Sequence, residues 1–224
     1  VAYAIQQYQQ LIRNLTGKGG TMNDLVASEL SGNRERFSEA LEVEKSLPKA
    51  KATVQQIFWQ ELSEALKAQF GVTADVYGGE NIATISKHYY SKNRNNKHIG
   101  LKIPICTLSD KSICLYVNLY HAIHYGLRAE DGSGTAVPSP ELKDMVQGET
   151  GKGNAIADDH TDWLVCYYYD PSSGDGEKII NFDAFNGTAI DLLNVEERST
   201  LITNIVSHQA KLAEQVKGLS SRNQ

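Results

Sequence analysis

The spacing of apolar residues along this chain changes from helical to strand-like, and this change limits the possible folds more than any other feature of the sequence. Near the start, apolar residues recur every three or four positions, which predicts amphipathic helices. The first such stripe consists of Ile5, Tyr8, Leu11, Ile12 and Leu15. Between Ile99 and Leu119 the apolar residues instead alternate with polar ones, which predicts strands with one buried face. Helices first, strands next and a helix last is the order of an α+β domain.

Caps, glycines and prolines set the limits of the predicted elements. The predicted helices span 1–15, 23–30, 34–46, 48–70 and 195–219. Pro48 is placed in the first turn of the fourth helix, where a missing N–H is tolerated. One hairpin is predicted from 99–105 and 113–119, a second from 163–169 and 178–185, and a further strand from 82–90. The fold class is therefore α+β, with N-terminal helices, a largely antiparallel sheet of about four to six strands and a long C-terminal helix.

The same patterns divide the chain into three regions. Residues 1–47 form a helical N-terminal or linker region, 48–219 an α+β accessory domain, and 220–224 a frayed tail. The polar, glycine-bearing stretch 132–162 predicts a mobile surface excursion with one short helix at 140–147. Because the helical pattern begins at Val1, which is not a methionine, we expect the chain to start inside a longer polypeptide.

Charge is distributed unevenly along the sequence. The formal net charge is −5, which argues against non-specific coating of nucleic acid, because such binding needs many Lys and Arg facing phosphates. From Lys87 to Lys102, however, there are five basic residues and no acid. From Glu130 to Glu197, fifteen acidic residues face only three lysines. The sequence therefore predicts two surfaces of opposite sign.

Cysteine usage and hydropathy predict a cytoplasmic protein. The three cysteines, Cys106, Cys114 and Cys166, are odd in number and set among apolar residues, as buried thiols are in a reducing compartment. No apolar run approaches the roughly 18 residues that a membrane span needs. We expect no membrane partner.

Three patterns that resemble catalytic or metal-binding motifs fail on context or spacing. Glu141-Leu142-Lys143 has the acid-x-Lys order of a restriction-type nuclease but follows two prolines, so a solvated helix start is the better interpretation. His121 and His124 lack a suitably placed glutamate, which favours polar residues at a sheet edge or satisfied core histidines. The stretch 148–153 lacks the spacing of a phosphate-binding loop. We predict no catalytic residue, metal site or cofactor.

The basic segment is the candidate binding site. It interleaves cations, aromatics and amides, a mixture that can hold phosphates while stacking bases. A plain solvated loop would have the same composition, so both interpretations stay open. The candidate nucleic-acid-binding residues are Lys87, Tyr89, Tyr90, Lys92, Arg94, Lys97 and Lys102.

A set of short motifs spread from end to end resembles the C-terminal region of bacterial PD-(D/E)XK-superfamily nuclease proteins. The motifs are Phe58-Trp59-Gln60-Glu61-Leu62, Ile99-Gly100-Leu101-Lys102-Ile103, Tyr125-Gly126-Leu127, Trp163-Leu164 with Tyr167-Tyr168, Asn181-Phe182 and Arg198. The resemblance implies an accessory domain of a protein that acts against phage or other foreign DNA. It also implies that the metal-dependent nuclease chemistry lies on a preceding domain, so no active-site residue is carried over.

Three functional hypotheses follow. The first is a non-catalytic recognition domain that contacts DNA or RNA through the basic segment. The second is a protein-interaction, sensor or oligomerisation domain whose partner is a phage component or another copy of the chain. The third is an independent metal-dependent nuclease that uses Glu141 and Lys143.

Overall fold

The computed structural model describes residues 22–77, 81–82, 90, 99–119, 122–151, 162–168, 180–182, 185 and 187–222. The chain forms two compact units, Val1–Ala50 and Lys51–Gln224. The α+β class is confirmed, as are an antiparallel sheet and a long C-terminal helix. No described helix combines the length and the apolar character needed to cross a membrane.

In the first unit, helix α1 (Met22–Ser31) is followed by a turn at Gly32 and Asn33. The side-chain oxygen of Asn33 accepts hydrogen bonds from the backbone N–H groups of Glu35 (3.0 Å) and Arg36 (3.1 Å). Two of the N–H groups that have no partner within the helix are satisfied in this way, so Asn33 is the N-cap of the next helix.

Helix α2 runs without a break from Arg34 to Phe70, so the prediction that a helix starts at Pro48 is wrong. Pro48 lies inside the helix and is exposed. A proline in a helix interior costs about 3 kcal/mol, because it removes one hydrogen bond and crowds the preceding turn. Here the carbonyl of Glu44 loses its donor on an exposed face, where water can replace it. Runs of good helix formers on both sides favour continuation.

The second unit is built on one five-stranded antiparallel sheet in the order β1-β2-β3-β4-β5. The strands are β1 (Asp75–Tyr77), β2 (Ile99–Leu108), β3 (Lys111–Leu119), β4 (Ile123–Glu130) and β5 (Trp163–Tyr168). The hairpin of β2 and β3 is confirmed. Strands β1 and β4 were not predicted from the sequence.

The second predicted hairpin is wrong in its pairing. Strand β5 pairs with β4, from His124 opposite Tyr168 to Arg128 opposite Trp163. In the described part of 178–185, Asn181 bridges to Ala122 next to the start of β4. The predicted strand 82–90 lies outside the described residues except for Ile82 and Tyr90.

Three helices complete the second unit: α3 (Pro140–Thr150), α4 (Thr188–Asp191) and α5 (Val195–Arg222). Helix α3 buries Leu142 and Val146 in the main core, which corrects the prediction of a mobile excursion over this part of 132–162. Helix α5 continues past its predicted end at Leu219. Ser220 is buried and its hydroxyl donates to the carbonyl of Thr107 (2.8 Å), so 220–222 are helical rather than frayed.

The main core lies between one face of the sheet and the helices of the second unit. The predicted stripes of α2 and α5 are confirmed, since each buries a row of apolar side chains. These rows consist of Phe58, Leu62 and Leu66 on α2 and of Leu201, Ile202, Ile205, Leu212 and Val216 on α5. They pack against the strand residues Leu101, Leu115, Val117, Tyr125 and Leu127.

Candidate functional site

The opposite face of the sheet carries a second, polar and aromatic cluster. Its buried apolar members are Cys114, Tyr116, Trp163 and Cys166, with Tyr77 packed against them. All five lie on strands, and no described helix contributes to this cluster. Among the described residues, the members of this cluster are therefore positioned by the register of the strands.

One row of this face crosses all five strands. Tyr77 pairs with Gly100, Gly100 with Asn118, Asn118 with His124 and His124 with Tyr168. Residues in one row of an antiparallel sheet lie about 5 Å apart from strand to strand, so the side chains of Tyr77, Asn118 and His124 point to the same face. In each strand, the residue of this row is the last or the next to last at the same end of the sheet.

A chain of hydrogen bonds runs along this row. The Tyr77 hydroxyl donates to Oδ1 of Asn118, and Nδ2 of Asn118 lies 3.0 Å from Nε2 of His124. Asn118 is 1% and His124 4% exposed, so these bonds satisfy groups that water does not reach. Burial raises the pKa of Tyr77, which keeps its hydroxyl protonated as a donor. His124 is a hydrogen-bonded core histidine, while His121 lies outside the described residues.

Glycine at position 100 makes this chain of bonds possible. Gly100 stands between Tyr77 and Asn118, and a Cβ there would lie 1.9 Å from the carbonyl oxygen of Val117. Only a residue without a side chain fits this close approach. The missing side chain also leaves room for Tyr77 to reach across the strand.

A buried ion pair occupies the same face further along the strands. The ammonium group of Lys102 lies 3.0 and 3.1 Å from the two carboxylate oxygens of Glu130, which also accepts a hydrogen bond from the Tyr116 hydroxyl. Burial and the hydrogen bond to Glu130 raise the pKa of Tyr116. Glu130 is 4% exposed, so its charge is balanced by Lys102 rather than by water.

A second cation is stacked between aromatic rings. The guanidinium carbon of Arg128 lies 4.9 Å from the centre of the Tyr116 ring and 5.3 Å from that of Trp163. Arg128 also forms an ion pair with Asp162. Such stacking stabilises a partly desolvated arginine. Its Nε atom is buried without a hydrogen-bond partner.

The ion pairs on this face limit the binding and catalytic chemistry that its side chains can perform. Each described lysine or arginine of the face has a carboxylate partner. Burial raises the pKa of Cys114 to about 11 and that of Cys166 to about 12, so neither thiol is a ready nucleophile near neutral pH. In the part of the chain that the structure describes, no three His, Cys, Asp or Glu side chains are grouped to hold a metal ion. The described polar groups of this face are engaged mainly with one another.

The structure describes two of the seven predicted nucleic-acid-binding residues, Tyr90 and Lys102. Lys102 is engaged by Glu130, and Tyr90 packs against the main core and donates its hydroxyl hydrogen to the carbonyl of Phe182 (3.2 Å). Both side chains therefore have partners within the fold. The other five, Lys87, Tyr89, Lys92, Arg94 and Lys97, lie outside the described residues.

The acid-x-Lys tripeptide lies in the first turn of helix α3. Glu141 is exposed, Leu142 is buried and Lys143 is partly buried. Two residues apart on a helix differ by about 200° in direction, whereas on a strand they share a face. Glu141 and Lys143 therefore do not converge as the two ends of a nuclease motif would.

Two of the motif residues noted in the sequence meet in the structure. Nε and Nη2 of Arg198 each lie 2.8 Å from a carboxylate oxygen of Glu61, and Nη1 donates to the carbonyl of Leu192 (2.7 Å). This fork joins α2 to the start of α5. The contact was not predictable from the sequence, because 137 residues separate the partners.

Comparison of this chain with protein-family models, with curated proteins and with solved structures found no match.

Proposed function

We propose that this chain is a non-catalytic recognition domain that contacts DNA or RNA through the basic segment 87–97, and that it serves a PD-(D/E)XK-type nuclease protein directed against phage or other foreign DNA. The nuclease assignment rests on the sequence motifs, and the binding assignment on the position of the segment in the fold. Each can fail without the other.

The observation that carries the binding proposal is where the segment is attached. It belongs to the connection between β1 and β2, and the residues that flank this connection, Tyr77 and Gly100, are register partners in the sheet. A connection that leaves and re-enters a sheet at paired residues is a common way to present a binding loop on a rigid scaffold. The hydrogen-bonded row through Asn118 and His124 supplies the rigidity at this point.

Two of the seven candidate residues already have partners within the fold. Because Lys102 is neutralised by Glu130 and Tyr90 packs against the main core, we leave these two side chains out of the proposed nucleic-acid contact. Phosphate contacts then fall to the cations at 87, 92, 94 and 97. The placement of Glu141 and Lys143 on a helix supports assigning the nuclease chemistry to another domain.

The test is a gel-shift and fluorescence-anisotropy assay at low salt with short single-stranded DNA, duplex DNA and RNA. The variant Lys92→Glu/Arg94→Glu/Lys97→Glu is expected to lose binding. A matched control, Lys67→Glu/Lys211→Glu/Lys217→Glu, changes the same charge at exposed helix positions and is expected to retain most of it. Each lost phosphate contact lowers the slope of log K against log salt by about 0.9 for duplex DNA.

Two results would contradict the proposal. Equal binding by both triple variants would show that net charge, and not the segment, decides affinity. Mg²⁺-dependent cleavage of the labelled nucleic acid by the purified chain, abolished by Glu141→Gln, would move the chemistry onto this domain.

A further inference from the structure

Helix α2 buries two side chains with polar groups one turn apart. Gln55 and Trp59 are each 0% exposed. Trp59 is part of the main core, and Gln55 lies on the same face of the helix. Residues four apart on a helix are neighbours, and helical side chains lean towards the N-terminus, so the Trp59 ring extends over the turn that carries Gln55. The amide of Gln55 and the indole N–H of Trp59 therefore share one region of the interior.

Neither polar group has a hydrogen-bond partner within the part of the chain that the structure describes. Both the oxygen and the nitrogen of the Gln55 amide are buried without one, and so is Nε1 of Trp59. A buried donor or acceptor that stays unpaired destabilises a fold, and about 90% or more of such groups in native proteins are paired with protein or with ordered water. Three unpaired atoms within one helical turn therefore point to a bound partner.

The two side chains define the chemistry of that partner. An indole N–H can only donate a hydrogen bond, whereas a primary amide has two N–H donors and one carbonyl acceptor. The partner must therefore accept from Trp59 and donate to the carbonyl oxygen of Gln55. Both groups are neutral, so they favour a neutral partner over an ion. Water can donate and accept, and it needs the least room in a closely packed interior.

We propose that Gln55 and Trp59 form a binding site for ordered water inside the second unit, in which a water molecule accepts the indole hydrogen of Trp59 and donates to the carbonyl oxygen of Gln55. Lys51, one further turn towards the N-terminus, is partly exposed, and its ammonium group lies 5.4 Å from the centre of the Phe185 ring. The row of Lys51, Gln55 and Trp59 thus leads from the surface into the core, which gives water a short path to the site. This site goes beyond the recognition function and uses none of its residues.

Nuclear magnetic resonance of the full chain tests the proposal, with nitrogen-15 labelling and with deuterated side chains so that no aliphatic proton resonates near water. The chain has two tryptophans, so the indole N–H signal that disappears in Trp59→Phe belongs to Trp59. In the parent, laboratory-frame and rotating-frame Overhauser spectra are expected to show a cross-peak between the Trp59 indole proton and water. Its signs should be those of a long-lived contact and not of chemical exchange. A parent without this cross-peak would overturn the proposal.

The variant Gln55→Met tests the part played by the amide. Methionine has a similar length but offers only a weak acceptor, so the cross-peak between the Trp59 indole proton and water is expected to lose most of its intensity. Gln60→Met, at an exposed position of the same helix, is the matched control and is expected to keep the cross-peak. Equal intensity in the two variants would show that Gln55 does not hold the water. The parent spectrum decides whether water is bound even if Gln55→Met does not fold.

Discussion

The hydroxyl of Tyr77 and the side-chain oxygen of Asn118 are hydrogen-bonded across the strand that separates them, because Gly100 lies between them and carries no side chain. This hydrogen bond and the contact between the rings of Tyr77 and Tyr116, whose centres are 5.0 Å apart, link β1 to β3 across β2. Three residues far apart in sequence thus act as a unit. The edge strand β1 is only three residues long, and this contact adds to its backbone pairing with β2.

Replacing Gly100 is expected to damage this unit. In Gly100→Ala the new Cβ meets the carbonyl oxygen of Val117, and the strands must separate to admit it. We expect a loss of more than about 2 kcal/mol in the free energy of unfolding, measured by urea denaturation. Gly148→Ala is the control. Its site on α3 has open space, and alanine favours a helix by up to about 1 kcal/mol. Equal stability of the two variants would contradict the role given to Gly100.

The fork between Arg198 and Glu61 predicts a coupling that lysine cannot supply. Arg198→Lys keeps the charge but loses the two parallel hydrogen bonds and the bond to the Leu192 carbonyl. A double-mutant cycle with Glu61→Gln is expected to give a coupling of roughly 1 kcal/mol, modest because the carboxylate is partly solvated. For comparison, Glu149→Gln at the exposed pair with Arg222 should change little. Additive effects of Arg198→Lys and Glu61→Gln would show that the fork does not act as a pair.

His208 on α5 predicts a loss of stability in mild acid. The ring lies 2.9 Å from the Tyr125 hydroxyl, beside the Tyr167 ring, and burial followed by the charge of Lys211 lowers its pKa. A lowered pKa means that the unfolded chain binds the proton first as the pH falls below about 6.5, so folding stability falls with it. Above about pH 6.5, the contribution of neutral His208 to folding stability is fully present.

The measurement compares urea unfolding of the parent and of His208→Asn between pH 5 and pH 7.5, about one and a half units below and one above the usual histidine pKa. Because other groups titrate in both proteins, the difference between the two curves reports position 208. This difference should shrink as the pH falls. Parallel curves would mean that His208 titrates alike in the folded and unfolded states.

The three thiols are expected to differ in reactivity. Cys114 and Cys166 are buried and their pKa values are raised to about 11 and about 12, whereas Cys106 is partly exposed and a nearby Lys217 opposes the rise in its pKa. At pH 8 a disulfide reagent should therefore modify one thiol in the folded chain and three after denaturation. The variant Cys106→Ser should lose the reaction seen in the folded chain. If the folded variant still reacts, the thiol of Cys114 or Cys166 is accessible.

The helices were predictable because their signal is local. The stripe that contains Phe58, Leu62 and Leu66 is visible at spacings of three and four whatever it packs against. Strand β4 had a signal as well, since Ile123, Tyr125, Leu127 and Ala129 alternate with polar residues or glycine. Its position between β3 and β5 was not predictable, because pairing order depends on which strands meet in space.

The polar face was harder to foresee than the core. Lys102 was predicted as a phosphate contact from its neighbours in sequence, but its partner Glu130 lies 28 residues away. Only the register between β2, β3 and β4 brings them together. A cation in a basic stretch is available to a ligand only if no acid reaches it in the fold, and a single sequence does not contain that information.

The row through Tyr77, Gly100, Asn118 and His124 also bears on how such a domain can change during evolution. Connections that leave the sheet at one end, beyond a set of paired residues, can lengthen or shorten without moving the strands, since loop closure costs only about 0.6 kcal/mol for each doubling of length. The sequence and length of these connections can then change while the hydrogen-bonded row stays as it is. Changes in the connections at this end of the sheet therefore have little effect on the stability of the strands.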